Sequence, residues 1–193
     1  MIKTAIFASG SGTNAMNIIH FFRDSAVVSI EAVLSNKPDA PVLQKAAAEG
    51  VETLIFSRDE FYNNSIVYNY LSKKGIELII LAGFLWLVPE NMVNTWQGRI
   101  VNIHPALLPS YGGRGMYGDK VHKAVIENGE KQSGISIHLV NPKYDEGGIL
   151  FQACCPVLPD DTPESLAARI HQLEYRHFPQ VIEQLAGTLL IQK

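Results

Sequence analysis

Two cysteines, Cys154 and Cys155, are all that the 193 residues contain. Neighbours in sequence are poorly placed for a disulfide that closes a useful loop, so a disulfide scaffold is excluded and a reducing compartment, the cytoplasm, is expected. No long apolar run occurs: Leu78 to Val88 is interrupted by Gly83 and falls short of the ~20 residues that span a bilayer. The start, MIKTAIFASGSG, lacks the basic and long apolar regions of a secretory signal and reads as a buried strand. Charge of one sign is also missing. Sixteen Lys and Arg against 19 Asp and Glu leave −3, with no basic run, so the footprint of a nucleic-acid-binding protein is absent. What is present is 47% hydrophobic and 18% charged residues, the balance of a folded domain that handles small molecules.

Short apolar runs alternate with segments of helical period, the pattern of strand–helix units around a parallel sheet. Strands are expected at 2–8, 28–35, 51–56, 76–82, 100–104, 134–140 and 149–157, and helices at 14–24, 41–49, 58–74, 89–95, 120–127 and 163–186. Pro41, Pro89 and Pro163 suit first helical turns, and Gly50 and Gly75 suit helix ends. No repeat or linker divides the chain. The expectation is α/β: a single domain over 1–193, with one open, mostly parallel twisted sheet and helices on both faces. Ligands of such sheets bind beyond the carboxyl ends of the strands, where strand order reverses.

Ser9-Gly10-Ser11-Gly12-Thr13-Asn14 follows the first strand and opens a helix, so backbone N–H groups and the positive helix end converge on an anion such as phosphate. With Ala15 the segment fits the dinucleotide pattern G-x-G-x-x-G/A. The acidic residue that would hold an NAD ribose is missing from Leu34-Ser35-Asn36-Lys37, which disfavours NAD and leaves NADP open. The donors of Ser11, Thr13 and Asn14 suit a terminal monophosphate as well. The alternative is a tight turn whose glycines serve packing.

Asn102 and His104 are two apart on an expected strand and project from one face, and Pro105 helps end that strand. An amide and an imidazole aimed together can stabilise the oxyanion formed when a nucleophile adds to a carbonyl. A structural histidine at a strand end is the alternative. A donating histidine needs a partner for its ring, and Asp145, in the glycine-rich turn Tyr144-Asp145-Glu146-Gly147-Gly148, is the best candidate; a turn aspartate is the competing reading.

These motifs, with Leu81-Ala82-Gly83-Phe84, the run Asn102 to Pro109, Gly134-Ile135-Ser136-Ile137-His138, Glu174-Tyr175 and Phe178-Pro179, resemble the phosphoribosylglycinamide formyltransferase family of folate-dependent enzymes across essentially the whole chain. The resemblance implies formyl transfer from 10-formyltetrahydrofolate, as co-substrate and without a metal, to the amino group of glycinamide ribonucleotide in purine synthesis. It implies that Asn102 and His104 hold the oxyanion, and that Asp145 orients His104, favours its charged form and relays protons. Ser11, Gly12, Thr13, Asn14 and Glu174 would bind the ribonucleotide. Leu85, Trp86, Leu87 and Val88, with Asn102, fall at the folate-contacting position, although relatives often carry Met-Arg where Leu85-Trp86 stands here; core packing is the alternative. Arg58 aligns with a folate-tail arginine across a gap, or is a solvated helix-start residue. His122, Ser136 and His138 would support the site.

The loop from Tyr111 to Gly118 is longer than in many relatives and reads either as a lid or as an ordinary surface loop. Metalloenzyme and serine-hydrolase spacings are missing. Three alternatives stay open: another formyltetrahydrofolate-using transferase, a hydrolase, and a non-catalytic nucleotide- or folate-binding module. A monomer or a homodimer is expected, with neither nucleic acid nor membrane as partner.

Overall fold

The computed structural model describes residues 1–192. Its strands are β1 (Ile2–Phe7), β2 (Val28–Ser35), β3 (Glu52–Ile55), β4 (Leu78–Leu81), β5 (Ile100–His104), β6 (Gln132–Leu139) and β7 (Ile149–Pro156). Its helices are α1 (Thr13–Phe21), α2 (Pro41–Ala48), α3 (Arg58–Tyr62), α4 (Ile66–Lys74), α5 (Glu90–Thr95), α6 (Asp119–Glu127) and α7 (Pro163–Ile191). The strands form one sheet in the order β3-β2-β1-β4-β5-β6-β7. Neighbours from β3 to β5 are parallel, whereas β6 and β7 are added antiparallel.

Central strands bury both faces, which is why β4 reads as the unbroken apolar run LIIL and β1 is apolar from Ala5 to Phe7. Along β1, Ile6 joins the apolar cluster beneath α1, α2, α6 and α7, while Ala5 and Phe7 join the one beneath α3, α4 and α5. The chain leaves β1 towards β2 and β3, then crosses back to lay β4 on the other side of β1. Strand order therefore reverses between β1 and β4. The loops that follow these two strands are tied together where Ser9 N–H donates to the Gly83 carbonyl at 3.1 Å.

The helix expected over 58–74 is two helices. Asp59 intervenes: its carboxylate accepts the side-chain amides of Asn63 at 2.8 Å and Asn64 at 2.5 Å, and its carbonyl accepts their backbone N–H groups. Asn side chains favour such turns over a continuing helix, and Ser65 then takes a left-handed φ of 56°. At the other end, α7 starts with a capping box between Thr162 and Ser165 and continues past Ala186. Its buried face, including Ile170, Phe178 and Ile182, packs on the sheet and carries Glu174 to the ligand end of the strands.

Candidate active site

A cavity of about 610 Å³ opens at the carboxyl ends of β1, β4 and β5, at the reversal of strand order. One end is the glycine loop. Ser11, Gly12, Thr13 and Asn14 all line it, and Gly12 is the N-cap of α1 with no side-chain cap bond, which leaves the first N–H groups of the helix without partners of their own. The glycines there do different work. Gly12 has φ 73°, and a Cβ on it would lie 2.2 Å from Val42 Cγ2, so packing against α2 demands it; Gly10 has open space around it.

Asn14 also reaches α7, donating from Nδ2 to Glu174 Oε2 at 2.8 Å. Glu174 is 5% exposed and takes a second bond from His171 Nδ1 at 2.9 Å. That bond to Glu174 raises the His171 pKa above the ordinary imidazole value. His171 lines the cavity and was not singled out from the sequence, although it lies three residues before Glu174 on the same helical face. Two buried polar atoms on this wall, Asn14 Oδ1 and His122 Nδ1, have no hydrogen-bond partner within the protein.

At the opposite end, β5 delivers Asn102 and His104 to one side while Val101 and Ile103 enter the cluster beneath α1 and α7. Asn102 stands opposite His138 across the antiparallel β5–β6 pair. His138 Nδ1 lies 2.9 Å from the Leu139 carbonyl and must carry the proton there, so Nε2 accepts Asn102 Nδ2 at 3.1 Å. Asp145 sits between the two histidines, with Oδ2 3.6 Å from His104 Nδ1 and Oδ1 3.5 Å from His138 Nε2. It has φ 54° and accepts the Gly113 N–H at 2.9 Å. Burial pulls the Asp145 carboxyl up, but the neighbouring His138 and His104 side chains and the Gly113 amide outweigh it and hold the pKa below the carboxylate norm.

Two features of the surroundings act on the His104 ring. Its ring is held by the carbonyl of Tyr111, 2.7 Å from Nε2, and Asp145 lies at ion-pair distance only. Asp145 does favour the charged ring, yet the stronger effect is burial, which lowers the His104 pKa below the ordinary value of 6.5. The lowered pKa favours the neutral ring, whose proton then sits on Nε2 facing Tyr111, with Nδ1 turned to Asp145.

Beside the main cavity lies a narrower one of about 60 Å³, lined by Trp86, Leu87, Val88, Asn102, His138 and Asp145 among others. Leu85 lines the main cavity instead, and Tyr144, missed in the sequence, borders both. Arg58 lines neither. Its guanidinium lies 5.0 Å from the Tyr62 ring centroid and 5.6 Å from that of Trp86, at the outer edge of this slot. Ser136 is fully buried away from both cavities: it accepts the Leu108 N–H at 2.9 Å and donates to the Ala106 carbonyl at 2.7 Å, so it shapes the turn after His104. Gly113, Arg114, Gly115, Tyr117 and Gly118 line the main cavity, which makes the 111–118 loop one of its walls. Among the described residues, no group of three or more His, Cys, Asp or Glu side chains could hold a metal ion, and no helix is long and apolar enough to cross a membrane.

A phosphate-type cradle facing an amide, an imidazole and a carboxylate across a strand-order reversal is the layout of an α/β group-transfer enzyme, and the family model described as Formyl transferase matches residues 2–182. A phosphoribosylglycinamide formyltransferase of Haemophilus influenzae is 35% identical over 188 residues, covering 95% of this chain and 86% of the relative. The crystal structure of glycinamide ribonucleotide transformylase 1 from Symbiobacterium toebii superposes with a TM-score of 0.89 at 34% identity, covering 97% of this chain and 89% of that one. The chain belongs to the phosphoribosylglycinamide formyltransferase family. It spans 64% of the chloroplastic phosphoribosylglycinamide formyltransferase of Arabidopsis thaliana, at 39% identity over 93% of its own length. It spans 14% of the trifunctional purine biosynthetic protein adenosine-3 of Drosophila melanogaster, also at 39% identity and over 98% of its own length.

Proposed function

We propose that residues 1–193 act as a single catalytic domain that transfers the formyl group of 10-formyltetrahydrofolate to the amino group of glycinamide ribonucleotide in purine biosynthesis. The observation that carries this reading is one cavity with the α1 amino terminus at one end and Asn102, His104 and Asp145 at the other. The phosphate would sit on the N–H groups of the Gly12–Asn14 turn, with the ribose beside Glu174 and Asn14. The pterin would enter the apolar slot at Trp86, Leu87 and Val88, bringing its formyl group to Asn102.

In the reaction the amine lone pair bonds to the formyl carbon and the carbonyl pair moves onto oxygen. One Asn102 N–H is engaged with His138, so the other donates to that oxyanion. His104 Nδ1, bare at rest, takes the proton that the amine sheds. The imidazolium so formed is stabilised by Asp145 and then returns the proton to the departing folate nitrogen as its bond to the formyl carbon breaks. No net proton is gained by the protein.

The test is direct: purified chain is mixed with glycinamide ribonucleotide and 10-formyltetrahydrofolate, and the ribonucleotide product is weighed by mass spectrometry. A formylated ribonucleotide with stoichiometric tetrahydrofolate is expected. Hydrolysis to formate, or binding of both ligands without turnover, overturns the reading.

A further inference from the structure

Among the described residues, three that are not glycine take positive φ, and two of these, Tyr111 and Asp145, meet at His104. Tyr111 touches the site through its backbone alone. Its carbonyl accepts His104 Nε2–H at 2.7 Å from a left-handed conformation with φ 56°. Its side chain points away, where the hydroxyl donates to Glu130 Oε1 at 2.7 Å and accepts Asn128 Nδ2 at 2.9 Å. Asn128 is the residue that ends α6. The tyrosine thus bridges the carboxyl end of a surface helix and the ring of a buried histidine. Two residues on, Gly113 N–H grips Asp145 Oδ2 at 2.9 Å.

A carbonyl can only accept, so the nitrogen facing it must carry a proton, and in the neutral ring the other nitrogen is then bare. A non-glycine residue leaves the left-handed region readily unless its surroundings hold it there. We propose that Tyr111 is a positioning residue: its phenol, tethered to Asn128 and Glu130, holds the backbone turn whose carbonyl sets the tautomer and ring plane of His104. His104 then presents bare Nδ1 to substrate and to Asp145. The first three residues of the 111–118 loop clamp the histidine and the aspartate in one register.

The proposal rests on the formyl-transfer reading for its consequence in turnover but not for its structural content, so the test has two readouts. Protein carrying ¹⁵N-labelled histidine is compared with Tyr111→Phe, and with Asn128→Ala and Glu130→Gln, whose sites are exposed and leave the ring in place. In the parent chain the long-range ¹H–¹⁵N pattern should give His104 as the Nε2–H form. In Tyr111→Phe the Nδ1–H form should gain population and turnover should drop on the order of 10-fold or more, with both KM values within about two-fold. The acid limb of the rate profile, set by His104 among Asp145, His138 and Glu174, should shift as well. Asn128→Ala and Glu130→Gln should move each readout the same way by less. Unchanged tautomer, pH profile and turnover alongside a lowered melting temperature would make Tyr111 merely structural and overturn the proposal. If Tyr111→Phe does not fold, the same null result in the two surface variants does so. A tautomer shift in a chain that formylates nothing sinks the functional reading and leaves this one standing.

Discussion

Asn102 Nδ2 lies 3.1 Å from His138 Nε2, directly across the β5–β6 pair, so one strand's imidazole fixes the amide of its neighbour. The amide is left with one N–H for the cavity. In the proposed mechanism, replacing Asn102 with alanine removes a donor that acts on charge developing in the transition state. Turnover should fall roughly 10²–10³-fold while substrate affinity changes much less. Steady-state kinetics with both substrates varied provide the check, and unchanged turnover would remove Asn102 from the mechanism.

His104 titrates below 6.5 because burial disfavours its charged form more than Asp145 favours it. In Asp145→Asn the stabilising charge is gone, so the His104 pKa drops further. The acid limb of kcat/KM should therefore move to lower pH, while kcat itself falls roughly 10²–10⁴-fold because the imidazolium intermediate loses its partner. An acid limb that moves upward contradicts this assignment.

Stability should follow the buried histidines. His104 and His122 both have folded pKa values lowered, chiefly by burial, so the unfolded chain binds more protons as pH falls through about 6.5. Their contribution is present above that value and lost below it. His171 runs the other way: its raised pKa adds stability below 6.5 that is lost as pH rises through its folded value. The urea midpoint should decline on acidification from neutrality, and His122→Leu should flatten the slope. An identical slope in that variant would show that His122 does not contribute.

Gly12→Ala should cost about 2–4 kcal/mol, from a strained left-handed φ together with overpacking against Val42. Val42→Ala should recover part of the loss by making room, leaving the backbone strain. Chemical denaturation of the two single variants and the double variant measures this coupling, and strictly additive losses would place the clash elsewhere.

Arg58 lies outside both cavities, stacked at the edge of the slot that Trp86 lines. Trp86→Ala should raise the folate KM by on the order of 10-fold, through lost apolar contact. Arg58→Ala should change it only a few-fold, in a salt-dependent manner, as expected of an exposed charge. Equal effects of the two substitutions would bring Arg58 into direct contact with the folate.

The parallel sheet was legible because its central strands are apolar on both faces, and the glycine loop and the Asn102–His104 pair were legible because each is a local pattern. The 58–74 segment misled for the same reason: its periodicity is helical throughout, and only the side-chain bonds of Asn63 and Asn64 to Asp59 break it. Arg58 carried a motif-level assignment that said nothing of distance from the slot. His171 carried a usable signal in its spacing from Glu174, whereas Tyr111 carried none, since its part at the site is played by a carbonyl that every residue possesses.

By itself the sequence determined which central strands would be buried, that a helix would start from a glycine loop after the first strand, and that an amide and an imidazole would share one face of a strand end. These depend on neighbours a few residues apart, and local patterns encode them. Only the tertiary structure decided the Tyr111 carbonyl as partner of His104, the placing of Asp145 between two rings, and the reach of Glu174 from α7 to α1. Those follow from burial and from contacts between groups up to 160 positions apart, and a pKa or a hydrogen-bond partner is set by what surrounds a side chain in space.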